Sequence, residues 1–407
     1  MPALSGCRVF LQKRSLGILF FLFFFSLPVR ALVVNAGGAI LVEANTGQIL
    51  FEQNSDQLFS PASMSKMMTE YLILEAIRQQ QLSWEQKVKI SPYAAQIAKN
   101  RILSNVPLEK GRDYLLRDLY EAMVIYSANG AAIALAEALA GTEAKFVKLM
   151  NQKARQLGLA KFSFVNCTGL NNKDLAGKHP AGTSAKAENL LSPRATAQLA
   201  YCLLRDFPEI LKTTQITEKF FKVNEKKKFK MKNWNWMLPG QRYFYPGVDG
   251  LKTGSTRLAG FAFTATAQRN GRRLIAVIMK ANSYASRFQE AKKLLDFGFN
   301  NFSELVLLPP QFSSSGEIKL KVRGGRVNQV IVKAKQIVKI LVPLGQQPQN
   351  YYPRLIFNKE IASPQGILQA PLRKGEIIGW LKFDFFNGWE PHFLGNKEQK
   401  LFQPIPV

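Results

Sequence analysis

Strand patterns stand at both ends of a long helical stretch, and this most constrains the fold. "AILVEANTGQILFEQN" (39–54) reads as two short strands around the turn residues Asn45, Thr46 and Gly47. "LAGFAFTATAQRNGRRLIAVIMKA" (258–281) reads as two more, joined across Arg269, Asn270 and Gly271, where Asn-Gly is a hairpin signal. Helical patterns fill the interval. From Ser63 to Arg78 apolar residues occupy nearly every side, as in a core helix. Residues 113–126 and the alanine-rich 130–141 follow, then 192–207, with Ser192 as N-cap and Pro193 at the first helical position. A closing helix is predicted over 286–299. This order predicts a mixed α/β domain whose sheet is built from both ends of the chain.

A boundary is predicted near "LLPPQFSSSGE" (307–317). Beyond it the apolar period becomes two, in "EIKLKV", "QVIVKA", "IVKILV", "RLIFN" and "IIGWLKFDF". Turns at Gly324-Gly325 and Pro364-Gln365-Gly366 separate these runs, so a small all-β module is expected over roughly 310–407. At 407 residues the chain has room for two domains, and its apolar share of 47% supplies a core for each.

Lys and Arg number 55 against 28 Asp and Glu, a net charge of +27. Such an excess concerns partners, not fold: nucleic acid, an anionic membrane face or an acidic polymer. The N-terminus narrows the choice. Arg8, Lys13 and Arg14 precede an apolar run from Leu16 to Leu27, then small residues, in the layout of a secretory signal peptide. The run is shorter than the ~20 residues a spanning helix needs. Cleavage is expected at Val29-x-Ala31, with Val34-x-Ala36 as second choice; an uncleaved anchor is the alternative. Export argues against nucleic acid and for an envelope surface. Cys7 leaves with the leader, and Cys167 and Cys202 are expected as buried thiols, with pairing after export left open.

"SPASMSKMM" (60–68) holds a candidate nucleophile, Ser63, which needs a base to take its proton. Only His179 and His392 could serve a Ser-His-Asp triad, and neither has a convincing partner; the same shortage removes HExxH metal sites. Lys66 is the other base. Residues three apart on a helix share a face, so its amine can reach the Ser63 hydroxyl. Burial and a second cation would lower its pKa enough for a neutral amine. Ser-x-x-Lys is common by chance, so the weight falls on two further motifs. "YSANG" (126–130) sets Ser127 and Asn129 between two helices. "DGLKTGST" (249–256) puts Lys252, Thr253 and Gly254 just before a strand, with Gly254 letting a substrate backbone lie close. Lys252 and Thr253 suit a substrate ending in a carboxylate.

Ser-x-x-Lys, Ser-x-Asn and Lys-Thr-Gly in this order resemble the motifs of the penicillin-interacting serine D,D-peptidases and serine β-lactamases. The longer context is similar to the low-molecular-weight penicillin-binding proteins, the D-alanyl-D-alanine carboxypeptidases. "SPASMSKMMTEYLILE", "FSFVNCTGLNNKDLAGKHPAGT", "YPGVDGLKTGSTRLAGF", "SRFQEAKKLLDFGF" and "APLRKGEIIGWL" carry the likeness. It implies an α/β, β-lactamase/transpeptidase-like domain with a mixed sheet and a helical subdomain, followed by a small all-β C-terminal domain. The boundaries would be 1–31 for the signal, 32–304 for the catalytic domain and 305–407 for the β domain.

The resemblance also implies roles. Ser63 would form the acyl-enzyme with Lys66 as general base. Ser127 would relay protons to the leaving group and Asn129 would hold the substrate amide. Lys252 would tune the electrostatics, and Thr253, with Arg287, would bind the terminal carboxylate. The backbone amides of Ser63 and Ser255 would form the oxyanion hole. No cofactor or metal is implied. Peptidoglycan stem peptides would be the substrate, β-lactam antibiotics covalent inhibitors, and an anionic wall or membrane surface the partner, with no nucleic acid.

The chain departs from the family in three places. Ala128 stands where glycine is frequent, Ser255 where histidine is frequent, and "FLGNKEQKLFQPIPV" lacks the stripe of an amphipathic membrane helix. The protein is then either released after cleavage or held at the envelope by its charge. A D,D-endopeptidase remains an alternative reading. A class A β-lactamase is a weaker one, since "ENLLSP" at Glu188 does not match the deacylating Glu-x-x-Leu-Asn context. A catalytically dead scaffold would have lost Ser63, Lys66 or Lys252.

Overall fold

The computed structural model describes residues 32–309, 311–334, 337–345, 351–385, 390–395 and 402–406. The predicted leader, its first-choice cleavage site, Cys7 and part of the C-terminal stretch lie outside the described residues.

Among the described residues the main sheet has six strands, in the order His392–Phe393, Gln48–Gln53, Ala36–Glu43, Arg272–Ala281, Gly260–Arg269 and Val248–Thr256, each antiparallel to its neighbour. The hairpins at 39–54 and 258–281 thus meet at the sheet centre, where Ile40 faces Val277 and Val42 faces Ile275. Asn270 and Gly271 turn with φ of 49° and 78°, the left-handed geometry the Asn-Gly pair favours. All six positions from Leu274 to Met279 are buried, so helices must cover both faces of the sheet.

On one face lies the helix Ser286–Asn300. It approaches so closely at Gly298 that a Cβ there would stand 2.7 Å from Leu274 Cδ1. On the other face lie the helix Pro193–Asp206 and the central helix Lys66–Arg78. Ser192 caps the former by accepting from the Ala195 N–H. Ten residues of the central helix, including Lys66 and Glu70, are buried.

The helical layer is completed by Leu116–Ile125, Asn129–Ala140 and Glu143–Gln156. Asp113–Leu115, expected as helix, instead pairs as a strand with Lys87–Lys89, because Tyr114 is buried there and donates to the Val223 carbonyl at 3.1 Å. The helix Glu143–Gln156 and a hairpin, Glu218–Lys222 with Lys228–Lys232, were not anticipated.

The described residues from Phe302 onward form three small sheets with their own core, in which Leu307, Val332, Ile340, Leu368, Ile378 and Ile405 are buried. Among the described residues, contacts that tie them to the main sheet include Arg272, whose Nη1 donates to the Phe302 carbonyl at 3.0 Å. His392–Phe393 extends the main sheet beside Gln48–Gln53. The buried Gln48 side chain donates to the Leu341 carbonyl and accepts from the Leu341 N–H, both at 2.7 Å, as a strand neighbour would. Among the described residues no helix is long and apolar enough to cross a membrane.

Candidate active site

The central helix does not begin at Ser63. A 3-10 turn, Ala62–Ser65, precedes it, and Ser63 is the one residue of that turn left partly exposed. Two segments press against the turn. Gly254 lies so close that a Cβ would sit 2.4 Å from the Pro61 carbonyl oxygen and 3.2 Å from the Met64 nitrogen. Gly169, at φ 80°, is closer still, its Cβ position 1.8 Å from the Ala62 carbonyl oxygen. Ala62 itself is held at φ 48°, uncommon for a residue with a Cβ. The glycine of Lys-Thr-Gly therefore admits the nucleophile's own turn, a use different from the substrate approach expected of it.

Lys66 opens the helix proper with only 1% of its surface exposed. Its Nζ donates to Ser63 Oγ at 3.0 Å, Asn129 Oδ1 at 2.7 Å and the Thr168 carbonyl at 2.6 Å. Three neighbouring oxygens fix the amine's position beside the serine. Burial pushes its pKa well below the usual lysine value, and the nearby Lys252 cation pushes it further.

Ser127 sits between the helices Leu116–Ile125 and Asn129–Ala140 at φ 62°, a strained conformation that a functional site commonly imposes. Its Oγ accepts from Lys252 Nζ at 2.9 Å. Lys252, Thr253 and Gly254 lie inside the edge strand Val248–Thr256, not before it, paired with Thr264, Phe263 and Ala262. An edge position leaves one side of the strand open to an extended peptide. Burial lowers the Lys252 pKa to about 7, partly opposed by Glu70. Ser255 is exposed at the end of this strand, next to Gly254 and hence beside the nucleophile turn.

Arg287 is buried under Tyr284, its guanidinium carbon 4.0 Å from the ring centre, and donates Nη1 to the Gly254 carbonyl at 3.3 Å. Among the described residues Nε and Nη2 have no hydrogen-bond partner, which leaves them as donors for an incoming anion. Burial lowers its pKa.

All nine predicted residues therefore gather around one turn and one strand end. Sequence reading missed what holds them. Asn166 Oδ1 accepts from the Thr168 N–H, the Thr168 hydroxyl and the Gly169 N–H, aiming the Thr168 carbonyl at Lys66. Glu70, one helical turn beyond Lys66, accepts from the Tyr120 hydroxyl at 2.7 Å, and burial raises its pKa to about 7. A backbone carbonyl leaves no mark in sequence, so Thr168 could not have been found; Glu70, an acid in an apolar helix, could have been. Neither histidine joins the site. His179 sits by the Thr183 hydroxyl at 3.2 Å, and His392 is largely exposed at 3.9 Å from Glu52. Cys167 and Cys202 are buried.

A hydroxyl aimed at a buried, deprotonatable amine, beside an edge strand with carboxylate-binding groups, is the apparatus of a serine acyl-transfer enzyme. Comparison with known proteins agrees. The D-alanyl-D-alanine carboxypeptidase family, Peptidase S11, matches residues 27–283, and the chain belongs to it. D-alanyl-D-alanine carboxypeptidase DacF of Bacillus subtilis is 33% identical over 346 residues, 85% of this chain and 80% of that protein. The crystal structure of the peptidoglycan synthesis regulatory factor PBP3 of Streptococcus pneumoniae superposes with a TM-score of 0.75 at 30% identity, over 92% of this chain and 99% of that one. Penicillin-binding protein D2 of Listeria monocytogenes in its ampicillin-bound form matches at 32% identity and a TM-score of 0.55, over 66% of this chain and 99% of that one. The fold is that of the penicillin-binding proteins, and the endopeptidase and β-lactamase readings are not favoured.

Proposed function

We infer that this chain is a serine-type D-Ala-D-Ala carboxypeptidase acting on peptidoglycan stem peptides and acylated by β-lactams. The observation carrying the mechanism is the 3.0 Å approach of Lys66 Nζ to Ser63 Oγ in a buried setting that the Lys252 cation shares.

Neutral Lys66 takes the Ser63 proton as Oγ attacks the carbonyl of the penultimate D-alanine. Charge develops on that carbonyl oxygen, which the Ser63 and Ser255 amides receive. Ser127, held by Lys252, gives its hydroxyl proton to the leaving amine and is resupplied with the proton that Lys66 removed from Ser63, so the terminal D-alanine departs neutral at nitrogen. Asn129 orients the substrate amide. Thr253 and Arg287, with its two unpartnered nitrogens, take the terminal carboxylate. Water then attacks the ester and regenerates the serine. A β-lactam acylates the same oxygen, but its leaving nitrogen stays tethered, which obstructs that water.

We further propose a catalytic domain that ends with the helix Ser286–Asn300 and a β domain that begins at the strand Phe302–Leu307, with export directed by residues 1–31. This division falls a few residues before the expected 304/305 boundary, which would cut that strand. The +27 charge supports residence at an anionic wall or membrane surface and gives no reason to invoke nucleic acid. The test is mass spectrometry of a purified pentapeptide muropeptide after incubation. Loss of one alanine is expected; an unchanged muropeptide, or monomers released from a cross-linked dimer instead, contradicts the reading.

A further inference from the structure

The hairpin Glu218–Lys222 with Lys228–Lys232 takes no part in the chemistry above. Across residues 218–232 stand seven lysines against two glutamates. Its two faces differ sharply. Directly opposed residues of an antiparallel pair share a face, so Lys219, Phe221, Phe229 and Met231 form one side. That side docks. Phe221 stacks on Tyr114 at 5.5 Å, Phe229 meets Tyr126 edge-on at 5.3 Å, and Lys219 pairs with Glu121.

The other side carries Glu218, Phe220, Lys222, Lys228, Lys230 and Lys232, and all six are exposed. Lys222 stands directly across from Lys228, a like-charge pairing that costs stability in a free ribbon. Glu218 and Glu225 engage Lys230 and Lys222. Among the described residues, Lys228 and Lys232 on this face, and Lys226 and Lys227 in the turn that joins the strands, have no ion pair, so an anion along this face and turn would relieve repulsion the fold leaves standing. The hairpin's docked side is anchored next to the site. Tyr126, on which it rests, precedes Ser127, and Trp234, two residues past its end, donates to the Tyr126 carbonyl at 3.0 Å.

We propose that this face is a docking rail for a linear anionic polymer of the envelope, holding it beside the catalytic groups. The proposal rests on the envelope reading above and names the surface responsible. Same-face lysines recur every second residue, ~6.7 Å apart, which suits a chain of regularly spaced phosphates or carboxylates. A membrane fits less well. Interfacial binding needs a contiguous apolar face, whereas Phe220 is the only large apolar side chain on this one, and the Lys230 ammonium lies 6.0 Å over its ring.

The experiment uses the exported-length chain and two fourfold variants. One joins Lys226→Gln, Lys227→Gln, Lys228→Gln and Lys232→Gln. The control joins Lys110→Gln, Lys148→Gln, Lys319→Gln and Lys321→Gln, equally exposed and equal in charge. Binding to long-chain inorganic polyphosphate is measured across a salt series, beside binding to phosphatidylglycerol vesicles. The hairpin variant should bind polyphosphate at least about tenfold more weakly near 50 mM salt, with a shallower salt slope, and the control should change less than about threefold. Equal losses in both variants, or none in the hairpin variant, overturn the rail. A loss confined to vesicles overturns it in favour of a membrane. Labelling by a fluorescent penicillin should be unchanged in both variants, and absence of labelling in the unsubstituted chain would count against the catalytic reading alone.

Discussion

Lys252 donates from Nζ to the Ser127 hydroxyl at 2.9 Å, joining the second and third motifs through 125 residues of chain. The same cation depresses the Lys66 pKa, after burial the largest influence on it. Acylation needs Lys66 neutral, so its rate rises with pH through that pKa. Lys252→Met removes the neighbouring cation, raises the Lys66 pKa and moves the acid limb of the acylation profile to higher pH. Rates of penicillin acylation against pH check this, with about 10²-fold lost at the plateau because Ser127 loses its partner. An unmoved limb would detach Lys252 from Lys66.

Gly254→Ala places a methyl 2.4 Å from the Pro61 carbonyl, on the edge strand where neither backbone yields easily. Overpacking of this kind costs about 1–3 kcal/mol. Because the displaced element carries Ser63, acylation should fall further than stability accounts for at a temperature where the variant remains folded. Thermal unfolding and penicillin labelling, measured together, separate the two effects.

Arg287→Gln removes the two free guanidinium nitrogens. Hydrogen bonds to a charged group contribute about 1.5–3 kcal/mol, so preference for a peptide ending in a carboxylate over its C-terminal amide should shrink roughly 10- to 100-fold. The kcat/KM ratio of the two peptides measures it.

Glu70 is raised from 4.5 to about 7 in the folded protein, chiefly by burial. Its neutral form is the one the fold favours, so this contribution is full below about pH 4.5 and is lost as pH rises through about 7. At neutral pH the loss is about 3 kcal/mol. Glu70→Gln should therefore gain stability relative to the unsubstituted chain as pH climbs through that window. Denaturant midpoints at several pH values test the sign.

Much of this was legible in the residues. The two bracketing hairpins predicted the sheet because turn residues such as Asn45-Thr46-Gly47 and Asn270-Gly271 between apolar runs are local signals, and Ser192-Pro193 marked its helix for the same reason. The Lys66–Ser63 reach followed from helical spacing alone. What was not legible depends on distant packing. Asp113–Leu115 reads as helix until Lys87–Lys89 lies alongside it. Gly254 looks like a substrate-facing glycine until the Pro61 carbonyl arrives from nearly two hundred residues away. The network around Asn166 joins its side-chain oxygen mostly to backbone N–H groups, which every residue but proline possesses, so its partners carry little mark in the sequence.

The central claim is that Ser63 is acylated with Lys66 as its base, and peptide mapping by mass spectrometry tests it most directly. After brief exposure to benzylpenicillin at neutral pH, the penicilloyl mass should appear on the peptide containing Ser63 in the unsubstituted chain. It should be absent from Ser63→Ala and slowed by several orders of magnitude in Lys66→Ala, both still folded. An adduct on any other residue, or near-normal labelling of Lys66→Ala, would contradict the account.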